Sequence, residues 1–466
     1  MQRIYFDITD IVTFARKNSR VSGIQRVQAR LVSLLADHYG GEVIRCVYLD
    51  FRRGCCYECS AVGLFESQEF SSEDLLAKLG LFAERGFLGS EIRKHSKAYS
   101  RNRLVQFFRK IYLRLVAKIS PQRLIAMGVS APRTASTCAV VERKPLCQLP
   151  VGAAVVLMGA QRLHRQVRRL VSDHRLRGGE VNQVIYDLLP HHWPAYFPSS
   201  LVSKYRLFLR QSIPMVTRYI CISENTRRDV EVFLHEHAVY RDAVSLPLAH
   251  EFAGFSRNAR DGKATSQSVA RVLESTFILC VGTIEIRKNG AGLLKAWQHL
   301  IHRLGDRVPQ LVFAGKRGWL TDEFDSLLSC DVALANKVTI IETPSDADLA
   351  ALYQRCLFTV YPSLAEGWGL PIGEAAWFGK YCVTSKTTSM PEVCGELADY
   401  VDPNNHEQIA AVIERAISDH AYLLCKEEAI SKAHLRTWSD VAEDLFSLVR
   451  SQKIASAIAL SQGSDG

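Results

Sequence analysis

The feature that most constrains this chain is the regular exchange of short apolar runs with amphipathic segments through its second half. Phe277–Val281, Gln310–Ala314, Val338–Ile341, Phe358–Tyr361 and Tyr381–Thr384 read as buried strands. Ala291–Leu304, Asp346–Cys356, Pro371–Phe378 and Gln408–Ser418 carry apolar residues at helical spacing. Strands without polar alternation, each followed by a helix, predict parallel sheet covered on both faces. The first half repeats the theme less regularly. Strands are predicted at residues 3–8, Val43–Leu49, Ala153–Met158, Val181–Asp187 and Arg218–Ile222, with helices after Ser22-Gly23, at Tyr205–Ile213 and at Asn225–Leu234. The expected fold is therefore α/β, with two Rossmann-like domains facing across a cleft. The boundaries expected are an N-terminal domain over 1–255, with an insertion at about 55–150, a polar linker at 256–270, a second domain over 271–430, and a last helix and tail at 431–466 that returns toward the first domain.

At 466 residues, with 47% hydrophobic and 23% charged residues, the chain has ample material for two cores and is not a disordered polymer. No run of 18 apolar residues occurs, and residues 3–8 lack the character of a secretion signal, so a cytoplasmic location is expected. The thirteen cysteines are scattered and odd in number, which fits reduced, buried thiols better than a disulfide framework. Cys56-Tyr57-Glu58-Cys59 is half of a zinc pattern with no second half at finger spacing.

The net charge of +10 is concentrated. Between Glu84 and Leu124 stand eleven Lys and Arg against two Glu, a local excess of +9. Leu104, Phe108, Ile111, Leu115 and Ile119 share one helical face there, and Arg103, Lys110, Arg114 and Lys118 lie on another. Such a helix suits an anionic membrane surface, equally a solvated flank packed on the protein. No aromatic-and-basic motif supports nucleic acid as a partner.

Three strand ends carry the chemistry. The densest is Tyr361-Pro362-Ser363-Leu364-Ala365-Glu366-Gly367-Trp368-Gly369-Leu370-Pro371-Ile372-Gly373-Glu374, which leaves a strand and enters a helix at Pro371. Seven residues separate Glu366 from Glu374, and carboxylates accept hydrogen bonds from hydroxyls, so the pair suits a sugar or a ribose. Acidic residues also commonly open helices, so the pair alone is not specific. The second strand end is Gly282-Thr283-Ile284-Glu285-Ile286-Arg287-Lys288, where Lys288 reaches a phosphate as a point charge. The third is Gly315-Lys316-Arg317-Gly318-Trp319. Together they favour a nucleoside diphosphate sugar. Asp346-Ala347-Asp348 imitates a metal-binding Asp-x-Asp but reads better as a capping box on Ser345.

In order, spacing and strand-end placement these motifs resemble the family-4, or group 1, retaining glycosyltransferases of GT-B fold. The resemblance extends over about residues 218–445 and includes Cys221-Ile222-Ser223-Glu224-Asn225-Thr226 and Trp438-Ser439-Asp440-Val441-Ala442. In the first half it is limited to Ser22-Gly23-Ile24-Gln25-Arg26-Val27 and Tyr186-Asp187-Leu188-Leu189-Pro190. The resemblance implies that Glu374 holds the ribose, that Glu366 lies by the donor sugar, and that Lys288 and the amides of Gly367, Trp368, Gly369 and Leu370 receive the diphosphate. Many members carry Arg where this chain has Thr283, so Arg287 or Lys316 is left to supply a second cation. Gly282 and Gly315 complete the donor side. Asp187 is expected to orient the acceptor hydroxyl, with Gly23 and His191 on the acceptor side. The expected reaction moves a hexose, mannose or a deoxyhexose, from a GDP-, UDP- or dTDP-linked donor to a lipid-linked glycan without metal or other cofactor. Two rivals share the architecture, a nucleotide-sugar 2-epimerase and a binding scaffold that has lost catalysis.

Overall fold

The computed structural model describes residues 2–18, 23–65, 71–81, 96, 103–119, 140–159, 163–259 and 262–462. Its contacts divide the chain into two compact units, 1–181 and 182–466. The expected boundary at 256–270 therefore falls inside the second unit.

In the first unit the strands are β1 (Ile4–Asp7), β2 (Ile44–Asp50), β3 (Cys55–Ser60), β4 (Arg143–Pro145) and β5 (Ala154–Leu157). Parallel β2 and β5 flank β1, while β3 and then β4 add antiparallel beyond β2. Every residue of β1 and β5 is buried, as continuous apolar strands in a covered sheet must be. β3 lies in the stretch whose sequence shows no regular pattern. Its register sets Cys59 opposite Cys46 and Cys56 opposite Leu49, so the zinc-like cysteines are sheet residues. Every described cysteine is a free thiol.

β6 (Glu180–Ile185) leads into the second unit and runs parallel to β7 (Arg218–Cys221), which in turn pairs with parallel β8 (Asp242–Ser245). The remaining strands are β9 (Phe277–Val281), β10 (Gln310–Ala314), β11 (Val338–Ile341), β12 (Thr359–Tyr361), β13 (Cys382–Ser385) and β14 (Asp399–Val401). They form a six-stranded sheet in the order β11-β10-β9-β12-β13-β14, all parallel. The order reverses between β9 and β12. At such a switch point, by the strands' carboxyl ends, open α/β sheets bind ligands.

The helices over this sheet start where local chemistry dictates. Ser345 accepts from the Asp348 amide at 3.0 Å and Asp348 returns the bond, a complete capping box on the Asp346–Arg355 helix. Asp348 also takes the amides of Thr265 and Ser266 at 2.8 and 3.1 Å, so this carboxylate serves as a structural acceptor. The polar stretch before residue 268 is tied down as well, with Asn258 donating to the Trp377 carbonyl at 3.0 Å and Arg257 to that of Ile430 at 2.8 Å. The last helix, Trp438–Gln462, begins with Trp438 donating to both the side chain and the carbonyl of Glu251. Further along, Arg218 of β7 donates to its Leu448 carbonyl at 2.5 Å.

Candidate functional site

Two of the three predicted loops leave the strands that flank the switch point, β9 and β12, and the third leaves β10. Gly282, at the end of β9, has φ +143°, a conformation glycine adopts freely. Its carbonyl lies against Gly315, where an added Cβ would sit 2.0 Å from that oxygen. The two glycines thus let the β9 and β10 loops touch backbone to backbone. Ile284 and Gly318 complete the junction, with amide bonds Ile284 to Lys316 (2.9 Å) and Gly318 to Ile284 (2.8 Å). Gly315→Ala is expected to cost about 1–3 kcal/mol in a urea melt, because backbone on both sides cannot move away from the methyl group.

This junction turns the chain into a 3-10 turn at Ile286–Lys288 and then, through Asn289 in the left-handed region at φ 57°, into the Gly290–Leu304 helix. The side chain of Asn289 donates to the carbonyls of Pro362 and Pro403 at 3.0 and 2.7 Å, stitching the β9 loop to the β12 loop. Arg287 and Lys288 are thereby aimed at Glu366. Lys288 Nζ sits 2.6 Å from Glu366 Oε1, and Arg287 2.6 Å from Oε2. Arg287 also reaches Glu285 at 2.7 Å and the Ala365 carbonyl at 2.9 Å. Tyr361 donates to Glu366 at 3.0 Å, receives a hydrogen bond from Lys288, and lies with its ring 4.7 Å from that ammonium.

The result is a buried square of two cations and two carboxylates. Burial works against the charge of Glu366, but Arg287 and Lys288 overcome it and hold the carboxyl down at about 2. Burial also pulls the Lys288 ammonium below its ordinary value, with Glu366 pulling back. Arg287 stays charged because Glu366 and Glu285 outweigh its burial.

Glu366 therefore engages both oxygens within the chain, and a sugar hydroxyl reaches it only by sharing them. Glu374, half-buried on the Leu370–Trp377 helix, accepts from Tyr353 at 2.8 Å. Burial raises the Tyr353 phenol, and the charge of Glu374 beside it adds to that. Gly369 precedes that helix at φ 110°, a conformation glycine adopts freely. Trp368 is buried, and its indole N–H lacks a hydrogen-bond partner. Lys316 is exposed and Thr283 half-exposed, so of the two candidate second cations Arg287 is the one built into the cluster.

Asp187 joins this group from another element. A Cβ on Gly367 would sit 1.9 Å from the Tyr186 carbonyl and 2.9 Å from the Asp187 Cβ, so glycine at 367 lets the β6 loop press against the motif. Asp187 accepts the Leu189 amide at 3.0 Å, and its own carbonyl takes a bond from Tyr205. Burial pushes its carboxyl up to about 6, against the pull of Arg287, while Glu366 and Asp229 push further. His191 lies apart from this cluster, edge-on to His192 and Phe233 at 5.1 and 5.6 Å, and burial lowers its pKa. Gly23 opens the Gly23–Tyr39 helix in the first unit, and Ser22 lies outside the described residues.

Glu285, Tyr361 and Tyr353 carry no role in the sequence reading. Glu285 and Tyr361 stand inside the quoted motifs, where a carboxylate three residues before Lys288 was a usable signal. Tyr353 sits in an ordinary amphipathic pattern and gave none. Among the described residues no group of three His, Cys, Asp or Glu is poised to hold a metal ion.

Residues 262–433 match the family of glycosyl transferases group 1. O-antigen chain mannosyltransferase B of Escherichia coli is 29% identical over 248 residues, 53% of this chain and 64% of the relative. A serotype-specific mannosyltransferase WbdA of the same species is 30% identical over 200 residues, 43% of this chain and 24% of the relative. The match thus spans less than two thirds of either relative's length. Among solved structures, a UDP-forming α,α-trehalose-phosphate synthase from Burkholderia vietnamiensis has a TM-score of 0.56 at 12% identity, covering 98% of both chains. The Anabaena protein Alr3699/HepE, solved with UDP and glucose, has a TM-score of 0.50 at 14% identity over 98% of this chain and all of its own. At such identities the likeness speaks for the fold alone. The motif spacing, the parallel six-stranded sheet and the match over residues 262–433 agree: this part of the chain is similar to the group 1 glycosyl transferases, the O-antigen mannosyltransferases among them.

Proposed function

We propose that the chain is a retaining hexosyltransferase of bacterial surface polysaccharide synthesis, moving mannose or a deoxyhexose from a nucleoside diphosphate sugar to a lipid-linked glycan. The observation that carries this reading is the convergence of Lys288 and Arg287 on Glu366 at the switch point, in the loop that leads into the Leu370–Trp377 helix. The names of the two mannosyltransferase relatives support the choice of sugar.

The bond between the anomeric carbon and the diphosphate breaks with its electron pair on the phosphate oxygen. The acceptor hydroxyl oxygen bonds the same carbon from the same face, and its proton passes to the departing phosphate. No protein nucleophile is required. The work falls to groups that meet the growing charge on the leaving group, namely Lys288, Arg287 and the amides of the β12 loop. Glu374 binds the ribose. A metal has no part in this scheme, because two cations already stand where the charge grows.

The test is release of nucleoside diphosphate from GDP-mannose, and from UDP- and dTDP-sugars, with and without a lipid-linked glycan. Release only with acceptor supports the transferase. Release without acceptor, accompanied by an epimerised sugar, makes it an epimerase, and binding without release makes it a scaffold. Asp187 as the residue that orients the acceptor hydroxyl must be ionised. The rate is then expected to fall below an apparent pKa near 6, and Asp187→Asn to lower activity and abolish that acid limb. A limb unchanged in Asp187→Asn assigns it elsewhere, Asp7 being a second buried carboxyl that burial raises to about 6.

A further inference from the structure

The Arg103–Ile119 helix is oriented opposite to an ordinary surface helix. Leu104, Phe107, Phe108, Ile111, Tyr112 and Leu115 are exposed, Phe108 by 67% and Phe107 by 57%. At 100° per residue these six positions fall within an arc of about 140°. Among the described side chains of the helix the fully buried one is Leu113, on the opposite side, with the partly covered Gln106 and Arg109 flanking it. A helix that merely covers a core turns its apolar stripe inward. This one turns a continuous aromatic and aliphatic stripe outward, a surface that soluble proteins keep only for a partner.

We propose that this face docks on an anionic lipid bilayer, with Phe107, Phe108, Ile111 and Leu115 inserted among the acyl chains. Charge selects the partner. The helix contains five Lys and Arg and no Asp or Glu, and the sequence from residue 84 to 124 carries an excess of +9. Burial of the two phenylalanines drives insertion, and basic residues near an anionic surface add electrostatic attraction. Seventeen residues span about 25 Å, long enough to lie in the interface plane. Among the described residues no helix is long and apolar enough to cross a membrane, so the contact is peripheral. Vesicle binding requires no turnover, and the inference stands or falls separately from the proposed reaction.

The experiment is co-sedimentation of the full chain with phosphatidylcholine vesicles, with and without phosphatidylglycerol, at low and high salt. Wild-type protein is expected to sediment with the anionic vesicles, and to lose this with salt. The double variant Phe107→Asp/Phe108→Asp, which replaces only exposed side chains, is expected to bind at least about ten-fold more weakly. Equal binding by wild type and variant overturns the proposal, as does equal binding to neutral and anionic vesicles. Size-exclusion chromatography decides the remaining case. A wild-type dimer that the double substitution dissociates, with no sedimentation by either protein, makes the stripe an interface between two copies and overturns the bilayer.

Discussion

Lys288→Ala is expected to lower turnover by about 10²–10³, equivalent to roughly 2.7–4 kcal/mol of transition-state stabilisation. The loss should fall on kcat more than on KM, because negative charge on the leaving oxygen grows as the glycosidic bond stretches. The same cation pairs with Glu366 at 2.6 Å. Its removal still leaves that carboxylate with Arg287 at 2.6 Å and Tyr361 at 3.0 Å, so the fold should survive and the rate loss be readable. Single-turnover measurement of nucleoside diphosphate release separates chemistry from donor binding. Undiminished turnover in Lys288→Ala would remove the cation from the mechanism.

Glu366→Gln tests the same cluster through stability. A buried ion pair is weak evidence of net stabilisation, but removing one partner from it leaves the others uncompensated, at about 3–5 kcal/mol. Here the loss leaves Arg287 and Lys288 buried with Glu285 and the more distant Asp187 to balance them. The pH dependence has a definite sign. Relative to an ordinary glutamate at 4.5, the folded chain holds Glu366 at about 2. Its contribution is complete above the unfolded value and is lost as pH falls from there toward the folded one. The gap in urea midpoint between wild type and Glu366→Gln should therefore be largest near neutrality and shrink in acid. A gap that is absent at neutral pH would show that Glu366 does not hold the two cations.

Residues near each other in the chain revealed what neighbours in the chain control. Apolar runs of strand length, the Ser345 and Asp348 box, Pro371 at a helix start and the seven-residue interval between the glutamates are all local patterns, and each stands in the structure. The proposed function follows mainly from these, because the loops it assigns to a diphosphate are strand ends whose chemistry is written within single loops. The region around β3 was illegible because antiparallel pairing at Cys55–Ser60 draws on partners in β2 and β4, the latter more than 80 residues away.

Three decisions belonged to the tertiary structure. The order β9-β12 in the sheet makes neighbours of loops 78 residues apart, and so converts Glu366 from an open acceptor into the centre of an ion cluster. Packing of the β6 loop on Gly367 brings Asp187 to that cluster, an approach only a residue without a Cβ permits. The side of the Arg103–Ile119 helix that meets the protein depends on what lies beneath it, since periodicity shows that a helix has two faces without showing which one is covered. Amino-acid order thus determined the kind of chemistry and its place at the strand ends. Only folding in three dimensions decided which charges face one another, because Coulomb energy and steric contact depend on separation in space and not along the backbone.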